Sequence, residues 1–87
     1  MAKINLQDFN SAEIALRRMT MAEIRTLVAL ASHSSISGAA NALGASQPAL
    51  SQHLRDLELK LGIPLFERHR RGLTPTSYGN ILVRCAL

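Results

Sequence analysis

Tryptophan is absent from this 87-residue chain, and the aromatics are limited to Phe9, Phe66 and Tyr78. That scarcity disfavours a β-sandwich, while the aliphatic-rich composition suits a small helical domain. The single cysteine, Cys85, excludes an internal disulfide and fits a reducing, intracellular setting. No long apolar run exists. The longest, Leu27 to Ala31, is far below the ~20 residues a membrane helix needs. The N-terminus lacks an apolar segment and carries Asp8 early, so no secretory signal is expected. Phosphate-binding glycine loops are missing, and no nucleophile stands at a suggestive distance from a base, so an enzyme is not expected. Asp56 and Glu58 are two residues apart on a helix and do not face each other. His33, His53 and His69 lack metal-ligand spacing, so neither a metal nor a cofactor is expected.

What is present is basic and periodic. Ten Lys and Arg stand against six Asp and Glu, for a net charge of +4. The excess lies late in the chain. Residues 47–87 hold Arg55, Lys60, Arg68, Arg70, Arg71 and Arg84 against Asp56, Glu58 and Glu67. Such a bias suggests a polyanionic partner, and the preference for arginine over lysine suits forked contacts to phosphate and guanine. At this length one domain with a modest core is expected, completed by oligomerisation or a further domain.

Capping signals divide the chain into helices. Asn10 with Glu13 forms one candidate capping box, with Phe9 and Ile14 as a staple, and predicts a short helix to about Arg18. Thr20 with Glu23, stapled by Met19 and Ile24, predicts a second. Its apolar stripe is Ile24, Leu27, Val28 and Ala31, and it ends near Ser32 to Ser34. Ser35 caps a third helix through Leu43, terminated by Gly44. Ser46 caps a fourth, with Pro48 in its first turn, the stripe Leu50, Leu54, Leu57 and Leu61, and Gly62 and Pro64 at its end. Leu65 to Arg68 and Leu73 to Thr74 read as two short strands about the turn His69 to Gly72. Thr76 caps a last helix from Ser77 that reaches Leu87 without a C-cap, as a truncated helix would.

Two short helices about a glycine turn form a helix-turn-helix pattern. In that arrangement the start of the second helix enters the major groove, where its free N–H groups favour phosphate and small residues allow close approach. Gln47, Ser51 and Arg55 fall on one face, with Gln52 beside them. Gln and Ser can hydrogen-bond to base edges. A solvated face of a helix bundle explains this helix alone equally well. The run Glu67-Arg68-His69-Arg70-Arg71-Gly72 is, alone, an exposed charged loop; after a helix-turn-helix it reads as a wing. Arg70 and Arg71 at its tip suit a minor groove. The two elements together, in this order, point to DNA. His53, beside Gln52, and His69, in the basic run, are candidate flanking contacts. A protein-interaction bundle leaves the arginines and the Ser-Gln-Pro start unexplained.

The run Ser35-Ile36-Ser37, Ala39-Ala40, Leu43, Ser46-Gln47-Pro48-Ala49-Leu50-Ser51, Leu54, Leu57-Glu58, Leu61-Gly62, Leu65-Phe66, Arg68, Arg71-Gly72, Thr76, Gly79 resembles the LysR-type bacterial transcription regulators over roughly residues 22–87. The resemblance implies a mainly α winged helix-turn-helix: three core helices, a β-hairpin wing, the start of a linker helix and, here, an additional N-terminal helix. The expected divisions are an N-terminal extension over 1–20, the DNA-binding domain over 21–76 and the linker helix from 77 to 87. It implies that the recognition helix, 46–61, lies in the major groove with Gln47, Pro48, Ala49, Ser51 and Gln52 at the bases, and that the wing, 68–72, places Arg71 with Arg70 at the minor groove. Ser35, Ser37 and Arg68 are implied as backbone contacts, and Ser46 and Arg55 are assigned with them. The partner is double-stranded DNA, an imperfect palindrome, bound by a homodimer joined weakly in this fragment through Tyr78, Ile81, Leu82 and Cys85 on the linker helix; packing of that face on its own domain is the alternative. The setting is the cytoplasm, at the bacterial nucleoid, and any small-molecule effector acts through a domain absent from this chain. Four residues depart from the family pattern: Ser34 replaces a common Gly, Gly38 and Gln52 stand where Arg is frequent, and Tyr78 where Ala is usual.

Overall fold

The computed structural model describes residues 6–86. Helices α1 (Leu6–Arg17), α2 (Met21–His33), α3 (Ile36–Leu43) and α4 (Gln47–Leu61) are followed by strands β1 (Phe66–His69) and β2 (Gly72–Pro75) and helix α5 (Ser77–Ala86). Four expected N-caps are in place. The side-chain oxygens of Thr20, Ser35, Ser46 and Thr76 accept from the backbone N–H groups of Glu23, Gly38, Ala49 and Gly79. Glu23 returns the bond to Thr20 N at 2.8 Å and closes the capping box. Each such cap contributes on the order of 1 kcal/mol, which matters in helices this short.

The predicted start of α1 is not observed. Asn10 and Glu13 lie inside a helix already formed at Leu6, so Asn10 is not a cap. Phe9 and Ile14 are exposed and make no buried staple. Tertiary packing overrides the local signal: α1 lies mainly along α5, and its small residues Ala12 and Ala15 are buried. In α2 the buried positions are Thr26, Leu27 and Leu30, while Ile24, Val28 and Ala31 are half-buried. The continuous apolar run 27–31 concealed which side faces inward, because α2 packs against α3, α4 and α5.

The core joins Leu27 and Leu30 of α2, Ala39 and Ala40 of α3, Leu50, Leu54 and Leu57 of α4, Leu65, Phe66 and Leu73 of the hairpin region, and Ile81 and Leu82 of α5. Alanines at 39 and 40 let α3 cross close to its neighbours. The strands pair antiparallel, Phe66 with Pro75 through His69 with Gly72, leaving Arg70 and Arg71 as a two-residue turn. Gly72 has φ 136°, and a Cβ there would collide with the carbonyl oxygen of Ser34. The neighbouring Leu73 N–H donates to that same carbonyl at 2.8 Å, so the hairpin lies tight against the end of α2. Gly79 is constrained in the same way, because a Cβ there would collide with the carbonyl of Leu65.

Tyr78 sits half-buried on α5. Burial, and secondarily the charge of Asp8 on α1, push its phenol above the ordinary value of 10.0. No helix among the described residues is long and apolar enough to cross a membrane.

Candidate nucleic-acid interface

The start of α4 is a polar, acid-free surface. Ser46 closes its first turn, and no acidic residue stands in that turn. Gln47, Pro48, Ala49, Gln52 and Arg55 are exposed, and Ser51 is half-buried. Ser46 and Pro48 define where the helix begins, and the buried stripe Leu50, Leu54 and Leu57 defines how it is turned. With that stripe inward, Pro48, Gln52 and Arg55 are turned furthest from the core, and Gln47 and Ser51 flank the stripe on one side. Free N–H groups at the helix start add partial positive charge.

The wing is brought beside this surface. Arg68 Nη1 donates to Ser51 Oγ at 2.8 Å, and Nη2 donates to the Ser51 carbonyl at 3.5 Å. Ile36, Gln47, Pro48, Ser51 and Arg68 line one open recess between α3, α4 and the hairpin. Arg70 and Arg71 are exposed at the hairpin tip. Ser37 is exposed in the first turn of α3, which also lacks acid. Ser35 is half-buried, and its Oγ is engaged by Gly38 N–H at 2.9 Å. A Cβ at Gly38 would lie 2.9 Å from that Oγ and 3.1 Å from His33 Cβ. A larger residue at 38 therefore requires a small shift of the Ser35 hydroxyl and of His33.

Some predicted residues are already engaged within the chain. Gln52 Nε2 donates to Asp56 Oδ1 at 2.8 Å, one turn along α4. His53 Nδ1 is 3.3 Å from Thr26 Oγ1, which ties α4 to buried Thr26 rather than leaving the ring free beside Gln52. His69 Nε2 is 2.6 Å from Thr74 Oγ1 across the hairpin. On α5, Ile81 and Leu82 are buried in the chain's own core, whereas Tyr78 and Cys85 are half-buried. The four do not form one open face.

Two positioning elements were missed in the sequence. One Glu58 carboxylate oxygen accepts from Leu65 N–H at 2.6 Å and Phe66 N–H at 3.2 Å, clamping the root of the wing to α4. Its signal was its place at the end of α4, just ahead of Gly62 and Pro64, where a carboxylate can reach back-turning chain. Lys60 Nζ meets Glu23 Oε1 at 2.9 Å and ties the end of α4 to the cap of α2. The Lys60 hydrogen bond, then that from Thr20, hold the Glu23 carboxyl below its ordinary value of 4.5. The 37-residue separation of this pair hid it from any local pattern. Among the described residues no three His, Cys, Asp or Glu side chains assemble as a possible metal site.

This geometry has known counterparts. Residues 21–80 match the family model described as bacterial regulatory helix-turn-helix protein, lysR family. The HTH-type transcriptional regulator GbpR of Azospirillum brasilense is 45% identical over 69 residues, covering 79% of this chain and 20% of that protein. AbaB of Streptomyces antibioticus is 46% identical over 68 residues, covering 78% and 23%. The chain thus spans about a fifth of the length of these relatives. Among solved structures, the CbnR DNA-binding domain in complex with DNA superposes with a TM-score of 0.74 at 31% identity, covering 78% of both chains. The BenM DNA-binding domain with catB site 1 DNA gives 0.74 at 35% identity, covering 78% and 76%. With a helix-turn-helix, a hairpin wing and a family match over most of its length, the chain belongs to the lysR family of bacterial regulatory helix-turn-helix proteins.

Proposed function

We propose that this chain is the sequence-reading DNA-binding module of a LysR-type transcription regulator, with α4 in the major groove and the Arg70-Arg71 turn at the minor groove. The observation that carries the reading is the acid-free start of α4 set beside an arginine-bearing hairpin. Gln47, Pro48, Ala49 and Ser51 face the bases. Gln52 joins them by exchanging its Asp56 partner for a base edge. Ser37 and Arg55 lie toward phosphates, Arg68 stands beside them with both fork nitrogens turned to Ser51, and Ser35 and Ser46 act chiefly by orienting the N–H groups of their helices. The similar CbnR and BenM DNA-binding domains, both solved in complex with DNA, support the DNA-binding reading.

Two copies place their recognition helices about 34 Å apart on an imperfect palindrome. Pairing through α5 relies on Tyr78 and Cys85, because Ile81 and Leu82 are already enclosed. The working site is the bacterial cytoplasm, and a small-molecule effector acts through parts of the regulator outside this span.

Selection of bound duplexes from a random DNA pool, with affinities at two salt concentrations, tests the reading. A palindromic winner and a steep salt slope are expected. Gln47→Ala should cost about 1–3 kcal/mol at one base pair and relax preference there. Binding without sequence preference would reduce the module to phosphate contacts, and no binding at low salt would remove the DNA reading.

A further inference from the structure

We infer that Arg68 is a positioning residue for base specificity: it holds Ser51 as a hydrogen-bond donor toward the groove and so disfavours cytosine at the base Ser51 meets. The inference rests on the DNA reading above and adds to it a rule for one base.

Arg68 directs two nitrogens of its planar fork at one residue, Nη1 to Ser51 Oγ at 2.8 Å and Nη2 to the Ser51 carbonyl at 3.5 Å. A guanidinium keeps its protons and has no acceptor, so the direction of both bonds is settled. A serine hydroxyl has one proton and two lone pairs. Here one lone pair is taken and a positive charge stands beside the oxygen. The hydroxyl proton therefore turns away from Arg68, and an incoming N–H donor meets a repulsive field. Ser51 lines the open recess with Ile36, Gln47, Pro48 and Arg68, so its hydroxyl borders the space a base edge would enter. In the major groove guanine, adenine and thymine each offer an acceptor, whereas cytosine offers only its amino donor. A serine held as donor tolerates the first three and rejects the fourth.

A phosphate contact by Arg68 predicts something different. It lowers affinity for every sequence alike and carries one unit of salt dependence. Because Arg68 is exposed, its replacement leaves the core intact.

The experiment uses the 87-residue chain and its selected duplex. Ser51→Ala first locates the base pair whose preference depends on Ser51. All four bases are then placed there and binding is measured for wild type, Arg68→Met and Arg68→Lys, with thermal melts confirming that each is folded. Wild type should bind cytosine about five- to tenfold more weakly than the best base, the worth of one such bond. Arg68→Met should abolish that penalty at this pair and leave preferences elsewhere unchanged. Arg68→Lys, which keeps a charged donor, should retain most of it. The inference is overturned if Arg68→Met weakens all sequences equally, with a shallower salt slope and the cytosine penalty intact. It is also overturned if no base pair responds to Ser51→Ala while selection otherwise succeeds, an outcome that leaves the DNA reading standing. Failure of wild type to select any sequence removes both.

Discussion

Replacing Glu58 with alanine should unfasten the wing from the recognition helix. One carboxylate oxygen of Glu58 accepts from the N–H groups of Leu65 and Phe66 at 2.6 and 3.2 Å. Both residues are buried, 0% and 6% exposed, so water is poorly placed to replace the lost acceptor. A hydrogen bond to a charged group contributes about 1.5–3 kcal/mol, so the pair sets an upper range of about 3–6 kcal/mol. Glu58 is half-buried and Pro64 exposed, so partial hydration brings the expected loss to about 3 kcal/mol. The helix propensity of alanine returns only a few tenths of this. A domain of this size has roughly 4–13 kcal/mol in total, so the variant should fold but melt roughly 12–24 °C lower. Glu58→Gln keeps an oxygen at the same reach without the charge and should lose about half as much. Urea unfolding followed by circular dichroism gives the energies, and hydrogen exchange at the Leu65 and Phe66 amides locates them. A loss below about 1 kcal/mol for Glu58→Ala, or unchanged protection of those two amides, would refute the clamp.

Three further outcomes are expected. Ser34, the single non-glycine residue at positive φ among those described (φ 55°), caps α2 in the left-handed region. Ser34→Gly should therefore raise stability by about 0.5–1 kcal/mol in a urea titration. The Glu23 carboxyl is held below 4.5 by Lys60 and Thr20, so its contribution is complete above that value and is lost as pH falls through the lower folded value. Stability curves between pH 5 and pH 2 should flatten in Glu23→Gln, and an unchanged slope would discount the Lys60 link. Arg71→Ala should weaken DNA binding and reduce any preference for A·T-rich minor-groove positions, measured by competition with G·C-substituted duplexes.

Local chemistry made much of this molecule legible. Thr20, Ser35, Ser46 and Thr76 announce helix starts because a side-chain oxygen three residues ahead of an N–H needs no tertiary help to find it. The stripe Leu50, Leu54 and Leu57 announces which side of α4 is buried, and hence that Pro48, Gln52 and Arg55 face outward. The tertiary structure decided what depends on distant partners. Asn10 and Glu13 have the pattern of a cap, yet α1 runs past them because packing on α5 favours a longer helix. Ile81 and Leu82 have the spacing of a pairing face, yet they are enclosed in the chain's own core. The three ties that aim the interface join residues 8, 17 and 37 apart: Glu58 to Phe66, Ser51 to Arg68, and Glu23 to Lys60. Periodicity and capping report only on neighbours within a turn or two of helix, so the elements were readable one by one and the angle between recognition helix and wing was not.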